Sequence, residues 1–339
     1  MSGSSDDFSK LPDGYYVVEF ETARLYLDYI KISKNGEELL FFFENLGRKY
    51  IYNKVKKKYI FNDRYIDIIS YNEEARIYQV IKHTGDKGTI SPLDKFVKIS
   101  NGKFKPSSKT ELQIALYVWE KDNNRAKIMY GNINTWDVTA ITDMSQLFGL
   151  GKVSMTYFGA RFNSDISNWD VSNVTNMRGM FASTKEFNQP LNNWDVSNVT
   201  NMKAMFEGAW KFNQPLDNWD VSNVTHMNYM FYYAKEFNQP LNDWDVSNVI
   251  DMANMFAGAW KFNQPLTDWD VSNVTNMLYM FFNAKEFNQP LTDWDVSNVT
   301  SMWGMFEEAE KFNQPINNWD VSNVTQMNTM FVNAKEFNQ

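Results

Sequence analysis

Cysteine is absent from all 339 residues, which excludes disulfide staples, thiolate metal sites, a cysteine nucleophile and a thiol-linked lipid anchor. Histidine is nearly absent too, with only His83 and His226, and no paired ligand spacing or phosphate-cradling glycine loop occurs. No run of about 18 apolar residues is long enough to span a bilayer. The opening Met1 to Phe8 lacks the basic start and apolar core of a signal peptide. The expectation is a chain with no membrane span, no signal-directed secretion, no metal, no cofactor and no catalytic constellation, located in the cytoplasm or in a virion.

What is present is ample apolar and aromatic matter, 43% and 16% of the chain, enough for packed cores. The net charge of -8 divides unevenly. Residues 161–339 carry 10 Lys+Arg against 21 Asp+Glu, a balance of -11, and residues 1–160 carry 23 against 20, or +3. An acidic array repels phosphate backbones, so no nucleic acid is expected on that part.

From Trp169 onward the sequence repeats every 25 residues, with Trp-Asp-Val at Trp169, Trp194, Trp219, Trp244, Trp269, Trp294 and Trp319, after a first copy at Trp136. A fixed period of this length predicts a solenoid of about eight coils over 132–339. In the coil of Trp194, the residues Met202, Met205, Phe206 and Ala209 follow the i, i+3, i+4, i+7 spacing of a short helix that Thr200 would cap. Leu191, Trp194, Val196 and Val199 suggest a strand, stacked in parallel from coil to coil, and Pro190 belongs to a returning turn. The recurring Asn188, Asn213, Asn238, Asn263, Asn288, Asn313 and Asn338 suit an amide ladder onto turn backbone. Two neighbouring columns alternate with a 50-residue period: Lys185, Trp210, Lys235, Trp260, Lys285, Glu310, Lys335, and Glu186, Lys211, Glu236, Lys261, Glu286, Lys311, Glu336. Stacking would turn them into ladders of cation–π contacts and ion pairs.

Ahead of the repeats, alternation such as Tyr16-Val17-Val18-Glu19-Phe20 predicts a small, mostly antiparallel β domain over 14–105, following a flexible 1–13. Lys34-Asn35-Gly36-Glu37 carries a hairpin signal. A linker ends at Ser108 as a helix cap, and helices from Thr110 and over Asn124 to Tyr130 before Gly131 form a helical cap, 106–131, on the first coil. The fold class expected is therefore α+β, a β-rich head and a leucine-rich-repeat-like α/β solenoid.

The consensus Phe-Asn-Gln-Pro-Leu-x-x-Trp-Asp-Val-Ser-Asn-Val-Thr-x-Met-x-x-Met-Phe resembles the BspA-type leucine-rich-repeat surface-protein repeat, seen in mycoplasma lipoproteins, other bacterial surface proteins and large DNA viruses of protists. The likeness covers roughly 132–339, and Thr110 to Trp119 with Tyr130-Gly131-Asn132-Ile133 resembles the segment that opens such arrays. It implies a non-enzymatic solenoid used for adhesion or protein contact. The chain departs from the bacterial surface members in lacking a signal peptide and a lipidated cysteine, which favours an intracellular or virus-encoded protein.

Several candidate sites follow. Asp170, Asp195, Asp220, Asp245, Asp270, Asp295 and Asp320, joined by Asp243, Asp268 and Asp293, would stack into an acidic strand face that either takes a cationic segment or divalent ion, or caps each Val-Ser-Asn turn. Tyr229, Tyr232, Tyr279, Phe282 and Trp303 fall on the outward side, where they form a partner-contact patch or cover small neighbours such as Asn254 and Ala257. Between Phe148 and Phe162 the first coil carries 8 extra residues, 33 minus 25, including Val153, Met155, Tyr157 and Phe158, a second contact candidate. His226 sits in a slot filled elsewhere by Asn201, Asp251 and Asn276, as an exposed polar residue. Lys54, Lys56, Lys57 and Lys58 with Tyr52 and Tyr59 are a solvated strand or an anion-binding cluster. The last coil ends at Gln339 with no polar cap, an end that would either invite another subunit or mark the truncation of a longer chain. These features fit a scaffold that binds protein partners, or a structural subunit that self-associates or joins an assembly such as a virus particle.

Overall fold

The structure is a computed structural model. It describes the backbone of residues 14–20, 28–33, 38–41, 49–53, 58–61, 64–72, 77–82, 87–92 and 99–100, and residues 103–149 and 159–339. The chain divides into two compact units, 1–97 and 98–339.

Among the described residues the first unit holds eight strands: β1 (Gly14–Phe20), β2 (Asp28–Ser33), β3 (Glu38–Phe41), β4 (Lys49–Asn53), β5 (Lys58–Phe61), β6 (Arg64–Asn72), β7 (Ile77–Lys82) and β8 (Lys87–Pro92). Each pairs antiparallel with the next, and β1 pairs with β8, closing a barrel. Closure leaves no unpaired strand edge. β2 and β3 pair antiparallel with Ser33 opposite Glu38; the Asn-Gly signal at Lys34 to Glu37 lies outside the described residues. Lys54, Lys56 and Lys57 also lie outside them.

The second unit opens with a two-stranded hairpin, β9 (Ile99–Ser100) and β10 (Lys103–Phe104), followed by α1 (Lys109–Lys121) and α2 (Asn123–Tyr130). Ser108 caps α1 by accepting from the Glu111 N–H at 3.2 Å, and Glu111 reaches back to accept from the Ser107 N–H at 2.7 Å, which satisfies one donor of the first turn and one just ahead of the cap. Gly131 ends α2 with φ +74, the left-handed stop that glycine adopts without penalty. Leu112, Ala115, Leu116 and Trp119 are buried on α1. Phe104, Trp119 and Tyr130 all pack on the Trp136 ring, with centroids at 5.1, 5.9 and 5.8 Å, so hairpin and helices together cover the first coil. Lys105–Asp137 and Lys109–Asp143 ion pairs tie them down at 2.8 and 3.2 Å.

No α-helix is found in the coils among the described residues. The segment Met202 to Ala209, expected to be helical, is a run of turns. Its alternate N–H groups leave the coil: those of Met202, Ala204, Phe206 and Gly208 donate to the carbonyls of His226, Asn228, Met230 and Tyr232 at 3.1, 2.9, 2.9 and 2.6 Å. The intervening Met205 and Ala209 N–H groups close turns on the Met202 and Phe206 carbonyls at 3.1 and 3.0 Å. Ala204 and Gly208, third in those two turns, have φ +56 and +65, as a type II turn requires. A single parallel pairing, Asn201 with His226, recurs at every coil from Asp143 to Gln326. The inter-coil ladder therefore runs where a helix was expected. The Leu191 to Val199 segment, expected as a strand, consists of turns closed by Trp194 N–H to Leu191 carbonyl and Val199 N–H to Val196 carbonyl.

Inside the stack, apolar columns meet like with like. Phe206 lies 5.6 Å from Phe231 and Phe212 lies 6.0 Å from Phe237, nearly parallel, while Trp219 stacks on Trp244 at 6.3 Å. The indole N–H of each Trp-Asp-Val tryptophan from Trp169 to Trp319 finds a backbone acceptor, as in Trp219 Nε1 to the Leu191 carbonyl at 2.9 Å, so burying it costs no hydrogen bond, whereas the Trp136 N–H is buried without one. The asparagine ladder forms: Asn188 Oδ1 accepts from the Asn213 N–H at 3.0 Å and from Gln214 Nε2 at 3.1 Å, and the pattern continues along the stack. The Lys and Trp column is a continuous sandwich, with Lys185 and Lys235 on the Trp210 ring at 4.1 and 4.2 Å and Lys235 on Trp260 at 4.2 Å. The second charged column resolves into pairs, Lys211–Glu186 at 2.5 Å, Lys261–Glu236 and Lys311–Glu286.

Candidate interaction face

Along the turn ladder, two positions per coil hold left-handed backbone. The first is Gln146, Gly179, Ala204, Tyr229, Asn254, Tyr279, Gly304, Thr329; the second is Ser183, Gly208, Tyr233, Gly258, Asn283, Glu308, Asn333. Glycine suits such φ values, whereas a bulky side chain there costs about 1–2 kcal/mol. Tyr229, Tyr233 and Tyr279 nevertheless have φ +62, +53 and +52.

The aromatic candidates come together on this face as half-buried groups. Tyr229 meets Tyr232 edge-on at 5.4 Å, Tyr232 meets Tyr233 at 4.6 Å, and Tyr279 meets Phe282 at 5.4 Å. Tyr233 lies over Gly258 and Tyr279 over Gly304, while Asn254 and Ala257 are buried in the coil between the two clusters. The rings thus cover small neighbours and still form part of the surface. Trp303 is the exposed member, at 38%. Tyr157 and Phe158 lie outside the described residues, but the anchors of their insertion are clear: Phe148 and Phe162 stack at 4.1 Å, like Phe206 and Phe212 at 4.1 Å.

The aspartate column adopts the turn-capping geometry. Asp170, Asp195, Asp220, Asp245, Asp270, Asp295 and Asp320 each accept from the backbone N–H of the serine two residues on, at 3.0–3.1 Å. The Ser222 hydroxyl and N–H hold the Asp220 carboxyl below its ordinary range, and the Ser297 and Ser322 groups do the same for Asp295 and Asp320. Among the described residues no cluster of three or more His, Asp or Glu is placed to hold a metal ion, and no helix is long and apolar enough to cross a membrane. His226 is half-buried, with Nδ1 2.9 Å from the Thr225 hydroxyl. His83 lies outside the described residues.

One depression, of about 460 Å3, opens on the turn face, lined by Gln146, Arg178, Gly179, Ala182, Ser183, Lys203, Ala204, Glu207 and Tyr229. Its floor is Gly179, Ala182, Ser183 and Ala204, small residues in columns that carry Tyr229, Tyr232 and Tyr233 further on. The change of side-chain size between neighbouring coils creates the step. Burial pushes the Glu207 carboxyl up, partly offset by the Lys203 charge.

Three overlapping stretches, 120–242, 151–268 and 251–339, match the family described as "Mycoplasma protein of unknown function, DUF285". The chain belongs to this family. The DUF285 matches together run from 120 to 339, over the second helix and all the repeats, and leave the barrel outside. No curated protein and no solved structure matches the chain. Being a repeat protein of the DUF285 family assigns no chemistry, so the face must be read from its side chains. Sequence reasoning missed Arg178, Lys203, Glu207 and Tyr233; the recurrent Gly and Asn at the two left-handed positions were the signal that side chains there leave the core.

Proposed function

We propose that the stacked coils form a leucine-rich-repeat-like solenoid acting as a non-catalytic scaffold, which contacts protein partners through Tyr229, Tyr232, Tyr279, Phe282 and Trp303. The observation that carries this reading is the tyrosine at left-handed positions. Tyr229 and Tyr279 share a column with Gly179 and Gly304, and Tyr233 shares one with Gly208 and Gly258. Rings kept on strained backbone, where glycine would fold more easily, point to use of the surface they make. Aromatic side chains of this kind are the usual anchors of protein interfaces. The implied kinship to BspA-type repeats, in which solenoids serve adhesion or protein contact, agrees with it.

The test replaces Tyr229, Tyr232, Tyr279 and Phe282 by serine and compares affinity enrichment of partners from the source cells with that of the unaltered protein. Loss of the same specific partners from a variant that still melts cooperatively is the expected result. Equal recovery of all of them overturns the proposal.

A further inference from the structure

Residues 161–339 hold ten Lys and Arg. Seven of them, Lys185, Lys211, Lys235, Lys261, Lys285, Lys311 and Lys335, are in the two edge columns as ring-stacked or ion-paired groups. Arg161 lies close enough to Glu120 to favour its ionised form. Arg178 and Lys203 remain. Both line the depression, and neither has an ion-pair partner within 4.0 Å among the described residues; Lys203 approaches the Tyr229 ring at 5.8 Å and lies close enough to Glu207 to favour its ionised form.

We propose that this depression receives an acidic side chain, Asp or Glu, from a partner polypeptide, with Arg178 and Lys203 gripping the carboxylate and Tyr229 forming the wall beside it. The proposal deepens the scaffold reading and rests on it for the protein nature of the partner. Tyr229 belongs both to this wall and to the aromatic row, so a chain lying along the row reaches the depression directly. A volume of about 460 Å3 falls in the range of ligand-binding clefts, and Arg offers a carboxylate two parallel donors. The surrounding repeats carry a charge of -11, so an acidic segment is repelled elsewhere on the stack and accepted here, which fixes the register of the partner. Glu207 works against the bound carboxylate and limits affinity.

The probe is acetyl-tetraglutamate amide, with acetyl-tetraglutamine amide as its neutral counterpart, titrated into the full chain by saturation-transfer NMR. The tetraglutamate is expected to bind and the tetraglutamine not to. Arg178→Ala and Lys203→Ala should each weaken binding about tenfold, Glu207→Gln should tighten it about threefold by removing a like charge, and Lys211→Ala on the edge column should change nothing. Ser183→Tyr provides a filled depression in a folded chain. Ser183 has φ +62 and lies against Gly208 as Tyr233, with φ +53, lies over Gly258, so the new ring has a template. It should abolish binding without lowering the melting temperature appreciably. No tetraglutamate binding, binding equal to tetraglutamine, binding of inorganic phosphate in place of the peptide, or a Glu207→Gln variant that weakens it would each overturn the proposal. The serine variants of Tyr232, Tyr279 and Phe282 should still take the peptide, so failure of the aromatic row and failure of this site are read separately.

Discussion

The ring of Tyr279 fills the space into which a side chain on Gly304 would grow: a Cβ there would lie 2.1 Å from Tyr279 Cε1. Gly304 also has φ +58. Gly304→Ala therefore meets both a steric and a backbone penalty, about 2–3 kcal/mol together. At Gly179, with φ +60, the nearest atom to an added Cβ is 3.4 Å away, so Gly179→Ala carries only the backbone cost of about 1 kcal/mol. Urea denaturation should order the two this way, and Tyr279→Ala should recover part of the Gly304→Ala loss.

The edge columns should differ in worth. Trp210 is held between two ammonium groups, and its removal in Trp210→Ala loses both cation–π contacts, about 1–2 kcal/mol at partly exposed sites. Lys211 pairs with Glu186 in the open, with 61% and 46% of the two side chains exposed, so Lys211→Met should change stability by less than about 0.5 kcal/mol. Equal losses in thermal melts would contradict this ranking.

The aromatic contact between Phe148 and Phe162 is indifferent to the residues that separate them. They are 14 apart where Phe206 and Phe212 are 6 apart, yet both pairs stack at 4.1 Å. Deleting residues 150–157 restores the common spacing, and the melting temperature should stay within about 3 °C, because shortening the connection by this much alters closure entropy by less than about 1 kcal/mol. A collapse of stability on deletion would show that the insertion belongs to the core.

Acid should loosen the junction of β10 and α1 with the first coil. Burial alone would raise the Asp137 and Asp143 carboxyls, but hydrogen bonds from Lys105 and Thr139 to the former, and from Ser145 and Lys109 to the latter, hold both below the ordinary value of 3.8. A lowered folded pKa means that the contribution is complete above the unfolded value and is lost as pH falls through the folded one. Melting temperature should thus hold steady above about pH 5 and drop below about pH 4. Lys105→Met with Lys109→Met should lower it at pH 7 and flatten the acid limb; an unchanged limb would assign the acid loss to other groups.

Much of this organisation is legible in the sequence because a repeat multiplies every signal. Ser108 and Gly131 mark the ends of the helical pair by side-chain and backbone chemistry that acts locally. Lys185, Trp210 and Lys235 declare the edge sandwich because identical spacing forces them together once coils stack. The turns were misread because Met202, Met205, Phe206 and Ala209 satisfy the helical period and the turn run equally well. What separates the two is where the N–H groups of Ala204 and Gly208 go, and that is settled by a neighbouring coil 24 residues on. Arg178 and Lys203 stayed hidden for a different reason: it takes the stacking of two coils to bring these residues, 25 apart in the chain, to one depression.

The ladder from Met202, Ala204, Phe206 and Gly208 to the following coil also sets how the protein should answer to force. These bonds lie along the stacking direction, so a pull on the two ends would load them in series and peel coils off singly. Each released coil would add about 80 Å of slack, 25 residues at about 3.3 Å each, giving a staircase of nearly equal extensions in place of one abrupt rupture.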